Sequence, residues 1–157
     1  MLRLLVLSDS HRDRYALERA LRLHREADAV FFLGDGEEDF LSPNIQQLCR
    51  DKKVTALAGN CDFYSQLPKE ELVLLGGKRI LALHGHTRFV KHGFQMLEEE
   101  AERLHADLVL HGHTHIPRTE YKNGIYYLCP GSVHAGDYGI ADITDKGEIL
   151  CITAKLT

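Results

Sequence analysis

LRLLVLSDSH, residues 2–11, decides how this chain is read. Its first six residues have the leucine- and valine-rich composition of a buried strand, and the run stops at Asp9 and His11, side chains that bind metals or protons. The same transition recurs four times: AVFFL at 29–33 leads to Asp35, VTALA at 54–58 to Asn60, ILAL at 80–83 to His84, and LVL at 108–110 to His113 and His115. In open α/β sheets, ligands gather at the carboxyl ends of the strands. Five strands ending in polar donors therefore predict one shared rim with a metal-bearing site.

The segments between these runs alternate with them. Over 13–26, apolar groups at Ala16, Leu17, Ala20, Leu21 and Leu23 stand among charges, as an amphipathic helix requires. Ser42 and Pro43 read as an N-cap with proline at the first helical position, and Ile45, Leu48 and Cys49 give a short helix its apolar face. Gly76-Gly77 separates Glu70–Leu75 from Lys78–Leu83, and Asn123-Gly124 separates Arg118–Lys122 from Ile125–Cys129. Both dipeptides suit the positive φ angles of two-residue hairpin turns. A further helix is expected over about 93–105 on the spacing of Phe94, Leu97, Ala101 and Leu104. A last hairpin joins 138–143 to 148–153, and this antiparallel tail is expected to complete a second layer.

The 157 residues suffice for one domain, 1–157, with a sizeable core, and 44% hydrophobic with 27% charged residues is ordinary soluble composition. No apolar run approaches the roughly twenty residues that span a bilayer, and the opening residues lack a signal-peptide cleavage pattern. A cytoplasmic location with no membrane partner is expected. Cys49, Cys61, Cys129 and Cys151 are scattered, so neither a disulfide framework nor a thiolate zinc site is suggested. A net charge of -4 argues against a nucleic-acid-coating surface, which needs clustered Lys and Arg. Ten histidines are the compositional anomaly, and His11, His84, His86, His113 and His115 stand where strands end.

Taken singly, the motifs are weak. Asp9-Ser10-His11 also describes an N-cap aspartate beside a surface histidine, and glycine followed by Asp35 or Asn60 is ordinary turn chemistry. His113 and His115 carry more, because alternate residues of an extended segment project to one side. Taken in order, D-x-H (9–11), G-D (34–35), G-N-C-D (59–62), H-G-H (84–86), H-G-H-T-H (111–115) and P-G-S (130–132) resemble the calcineurin-like metallophosphoesterase superfamily. Within it they look like the small YfcE-like phosphodiesterases, and the resemblance spans essentially the whole chain.

That resemblance implies a mixed α/β fold, a four-layer α-β-β-α sandwich with two mixed β-sheets. It also implies two divalent metal ions, one taking Asp9, His11, Asp35 and His115 and the other Asp35, Asn60, His84 and His113, with Asp35 bridging. Imidazole, carboxylate and amide donors suit manganese, ranked first, or nickel, iron, cobalt or zinc. Only Asp9 and Asp35 offset such a pair, so the centre stays cationic and attracts a phosphate. The expected activity is hydrolysis of a small phosphodiester by direct attack of a hydroxide bridging the metals. Asn60 and His86 are the expected catalytic side chains, and phosphate is a product or inhibitor. The alternatives are a phosphomonoesterase or nucleotide pyrophosphatase at the same site, or a catalytically weak binding scaffold; a homo-oligomer is compatible with each.

Several positions depart from the family pattern or lie beside it. Cys61 stands where many larger relatives carry a histidine, and an inert spacer is expected there. Asp62 is expected to orient the Asn60 loop, and Asp39 to serve as a structural cap. No arginine follows Asp35 within GEEDF (36–40), which disfavours a phosphoprotein substrate. Arg12 and Arg88 are expected to be solvated, and Phe63 and Tyr64 to pack against the hairpin tail. Cys129 replaces the asparagine before P-G-S, and His134 lies in a segment that lacks the family's usual continuation.

Overall fold

Residues 1–157 are described by a computed structural model with ten strands in two five-stranded sheets. Strands β1 (Leu2–Leu7), β2 (Ala29–Phe32) and β3 (Lys53–Ala56) run parallel, with Leu7 beside Phe32 and Phe32 beside Ala56. Their carboxyl ends are level, so the loops carrying Asp9, Asp35 and Asn60 leave from one edge. The second sheet contains β4 (Glu70–Leu75), β5 (Lys78–Leu83), β6 (Leu108–His111), β7 (Arg118–Lys122) and β8 (Ile125–Cys129). Within it β5, β6 and β8 are parallel, and Leu83 lies beside His111. Strands β9 (Asp137–Ile143) and β10 (Ile149–Lys155) return to the first sheet. The orders are β10-β9-β1-β2-β3 and β4-β5-β6-β8-β7.

Side-chain alternation along each strand sorts the layers. Leu4 and Val6 share a core with Ile80, Ala82, Leu108 and Leu110 of the other sheet, whereas Leu5 and Leu7 pack with Leu17, Leu21 and Ile45. Those last three belong to helices α1 (Arg14–Leu23) and, after the single turn α2 (Glu37–Phe40), α3 (Pro43–Leu48). On the opposite outer face Leu81, Leu83 and Val109 pack with Leu97 and Ala101 of α4 (Gln95–Arg103). The result is the expected α-β-β-α order. Both faces of the central strands are covered, which is why their sequences are near-continuous apolar runs. No helix is long and apolar enough to cross a membrane.

The two glycine-bearing hairpins form as expected, with Gly76 and Gly77 at φ 60° and 75° and Asn123 and Gly124 at 52° and 80°. Two expectations need correction. The first helix is shorter than 13–26: Asp13 caps it by accepting from Ala16 N at 3.0 Å, and past Leu23 the chain turns so that Ala27 N donates to His24 O. Ser42 is the N-cap before Pro43 as expected, and its hydroxyl donates to Asp39 O at 2.7 Å, closing α2 as well. The tail divides between the sheets, because apolar alternation fixes a strand's face and not its neighbour. Strands β7 and β8 complete the second sheet, whereas β9 and β10 flank β1.

Candidate metal centre

The rim where the parallel strands end is built from unusual backbone. Asp9, His11, Asp35, His113 and His115 all have positive φ, between 43° and 72°, and they make up half of the ten non-glycine residues that do. A left-handed conformation costs a residue with a Cβ roughly 1–2 kcal/mol, so it persists only where the surroundings enforce it. Those surroundings are explicit. Asp9 N donates to Gly34 O at 2.9 Å, and Asp9 O accepts from Ser132 Oγ at 2.8 Å. Asp39, nearly buried, accepts from Ser10 Oγ at 2.6 Å and Arg12 N at 2.9 Å, holding the loop that bears His11. Asp62 accepts from Gly59 N and Asp35 N at 2.8 Å and from Gly36 N and Glu37 N at 3.0 Å, tying the Asn60 loop to the Asp35 loop. The two loops cross closely at Gly59, where a Cβ would stand 2.1 Å from Asp35 Oδ1.

These braces bring the seven sequence-picked donors together in two adjoining groups. Asp9, His11 and His115 form one triad and Asp35, His84 and His113 the other. In the first, His115 Nε2 is 3.1 Å from Asp9 Oδ1 and 3.2 Å from His11 Nε2. In the second, His84 Nε2 is 3.3 Å from Asp35 Oδ2, 3.2 Å from His113 Nδ1 and 3.1 Å from Asn60 Oδ1. His84 Nδ1 donates to Leu33 O at 2.8 Å, which turns the Nε2 lone pair toward the centre. Asp35 Oδ1 accepts from Cys61 N at 2.8 Å, so Oδ2 is the oxygen that faces both triads.

Charge follows this geometry. Burial alone would raise the Asp35 and Asp9 carboxyls, but hydrogen bonds and charge from His84 and His115 hold both below the ordinary aspartate range. Burial would likewise lower His84, yet Asp35 and Asp9 raise it, and the hydrogen bond to Asp9 raises His115. His113 is pushed down to about 4, by partial burial first and then by its neighbour His84. Thus two acids stay ionised while lone pairs of imidazole and amide crowd within hydrogen-bonding distance of one another. A donor set of oxygen and imidazole nitrogen at this spacing fits divalent transition ions. His84 Nδ1 already has the backbone partner that such ligands usually show.

The remaining sequence-picked residues separate. His86 lies beside the second triad, its ring centroid 5.4 Å from that of His84, and its Nδ1 is buried without a partner. Cys61 is exposed with its sulfur 3.6 Å from Asn60 Nδ2, and burial together with the charge of Asp35 pushes its thiol up, consistent with an inert spacer. Arg88 is not solvated: it forms a two-pronged pair with Glu70 at 2.9 Å and approaches Glu100 at 3.6 Å. Phe63 and Tyr64 do not pack on the hairpin tail but line an open cleft of about 670 Å³ with His11, Arg12 and Asp35. His134 is exposed and pairs with Asp13 at 3.1 Å. Sequence reasoning passed over Ser8, which donates to Asp9 Oδ2 at 2.6 Å, and the fully buried His111, pushed down to about 4 by burial. His111 Nδ1 donates to Gly112 O and Nε2 accepts from Arg118, whose guanidinium lies 3.8 Å from the Phe94 ring centre. The strand-terminal place of His111 was the available signal.

A two-sheet sandwich with two donor triads on one rim defines a candidate metal-binding class of protein, and comparison makes the assignment specific. A model of the calcineurin-like phosphoesterase superfamily domain matches residues 2–146, and the chain belongs to that superfamily. The probable metallophosphoesterase YsnB of Bacillus subtilis is 32% identical over 130 residues, covering 82% of this chain and 73% of its own. Phosphodiesterase YfcE of Escherichia coli strain K12 is 28% identical over 170 residues, covering 90% and 88%. The crystal structure of a conserved protein of Streptococcus pneumoniae, described as a predicted phosphoesterase, superposes with a TM-score of 0.76 at 27% identity, covering 99% and 98%. The chain is thus a hydrolase of the phosphoesterase type.

Proposed function

We propose that this protein is a phosphodiesterase acting on a small phosphodiester, with one divalent ion held by Asp9, His11, Asp35 and His115 and a second by Asp35, Asn60, His84 and His113. The observation that carries this reading is the position of Asp35 Oδ2, 3.3 Å from His84 Nε2 and 4.0 Å from His11 Nε2, where one oxygen serves both groups. Manganese is our first choice, with nickel, iron, cobalt and zinc as alternatives suited to the same donors. A divalent pair there supplies positive charge against a phosphate and lowers the pKa of a water molecule.

The chain's own groups favour water as the attacking species and no phosphoenzyme. The Ser8 and Ser10 hydroxyls both donate to carboxylates, and the raised pKa of Cys61 keeps its thiol protonated. The Asn60 side-chain nitrogen meets only a sulfur, so it is free to donate to an equatorial phosphoryl oxygen. The buried Nδ1 of His86 has no hydrogen-bond partner, and although burial pushes this imidazole down, we assign it the proton that the leaving group takes up. A diester monoanion suits this rim better than a monoester dianion, because Arg88 is committed to Glu70 and Glu100 and the cleft's one free arginine, Arg12, shares it with two carboxylates, Glu37 and Glu38. The 28% identity to a named phosphodiesterase points the same way. All four cysteines are free, in keeping with the reducing cytoplasm we assign to it.

The test is manganese-loaded protein assayed side by side on bis(4-nitrophenyl) phosphate and 4-nitrophenyl phosphate. Preferential diester turnover, its loss on chelation, and its loss by about a hundredfold or more in Asp35→Asn are the expected results. Anomalous diffraction should then place two ions at the stated ligands. Near-normal activity of Asp35→Asn, or a preference for the monoester, overturns the reading.

A further inference from the structure

We infer that the cleft beside the candidate centre holds a nucleobase, so that the substrate is a nucleotidyl phosphodiester; this deepens the phosphodiesterase reading and rests on it. The cleft is continuous with the centre, since His11 and Asp35 are part of its wall. Its volume of about 670 Å³ lies within the range of small-ligand sites. At its rim stand Phe63 and Tyr64, 79% and 104% exposed. Two adjacent large aromatic side chains in water contribute nothing to the core, and contiguous exposed apolar surface on a rim marks a place where something binds. Tyr64 is held at φ 59°, a conformation that a side chain with a Cβ adopts only at a cost. It lies two residues past Asp62, whose four backbone contacts fix the loop.

Aromatic rims bind bases by their flat faces, with little regard to sequence. The remaining lining selects among them. Glu37 and Glu38 line the same cleft, and neither carboxylate has a hydrogen-bond or ion-pair partner within the chain. Carboxylates only accept, and beside a phosphate site they repel any further anion. They match the exocyclic amino group of adenine, guanine or cytosine, which uracil lacks. Arg12 lines the cleft as well, its guanidinium unpaired, and offsets the acids on the side of His11.

Three substrates with one leaving group test this: the 4-nitrophenyl esters of adenosine 5′-monophosphate, of uridine 5′-monophosphate and of methyl phosphate, hydrolysed by the manganese-loaded protein. The expected order of kcat/KM is adenosine, then uridine, then methyl. In the double variant Phe63→Ala, Tyr64→Ala the adenosine-to-methyl ratio should fall about tenfold, the loss typical of a removed stacking partner. In Phe63→Tyr, Tyr64→Phe it should be kept. Glu37→Gln with Glu38→Gln should narrow the gap between adenosine and uridine. Equal kcat/KM for the three esters, or an unchanged ratio in the alanine variant, overturns the base site while leaving phosphodiester hydrolysis intact. If no ester is turned over, the parent reading fails instead. Titration with adenosine 5′-monophosphate, followed by the aromatic NMR signals of Phe63 and Tyr64, then decides the base site alone: shifts support it and their absence ends it.

Discussion

At Asp62 four backbone N–H groups from two loops converge on one carboxylate, so its two oxygens do work that an amide of identical shape cannot. Asp62→Asn turns an NH2 group toward two N–H donors. Losing hydrogen bonds to a charged group costs about 1.5–3 kcal/mol each at most, shared here over a loop that can relax. The expected outcome is a loss of about 2 kcal/mol in urea unfolding together with weaker manganese binding by calorimetry. Unchanged affinity for the metal would show that Asp62 has no part in setting the Asp35 loop. At this scale the convergence of the seven candidate residues was legible, because each follows an apolar run and repetition makes the pattern. Ser132 and Ser8 were not readable in their roles. Ser132 acts on Asp9 from 123 residues away, and a serine next to an aspartate has no local signature.

Elements were legible where their period or turn chemistry is strong. The glycine-bearing hairpins came out in the stated register, whereas the single turn α2 is too short to show a period. One inter-element tie has a pH signature. Glu70 of β4 receives Thr87 Oγ1 at 2.5 Å and the Arg88 fork at 2.9 Å, fastening the hairpin to the segment that follows His84. Burial alone would raise its carboxyl, but Arg88 and Thr87 hold it below the ordinary glutamate range. A depressed folded value means stability that is present above the unfolded pKa and lost as pH falls through the folded one. The melting temperature should therefore fall as acid is added below about pH 4.5. Glu70→Gln should melt lower at neutral pH and show a shallower acid slope, and equal slopes in the two proteins would exclude the pair as a contributor.

Over the whole molecule, the layer between the sheets is where packing defects should cost most. Leu110 is fully buried among Leu4, Val6, Ile80 and Leu128. Leu110→Ala should lower unfolding free energy by about 2–5 kcal/mol, a large share of the roughly 5–15 kcal/mol typical of a domain. A change under about 1 kcal/mol would mean that the sheets close over the gap. The layer order could be anticipated from the family resemblance and from runs covered on both faces. The partner of each late strand could not, since β9 and β10 are as apolar as strands of either sheet and only the turn through Val133–Ala135 carries them back. That return has a kinetic cost. Strand β1 is central to its sheet, and its neighbour β9 is about 130 residues downstream. Until β9 folds back, the LRLLVL segment keeps one edge without a partner. Such distant pairing slows folding, and it leaves an apolar strand edge open to association with other chains until the sheet is complete.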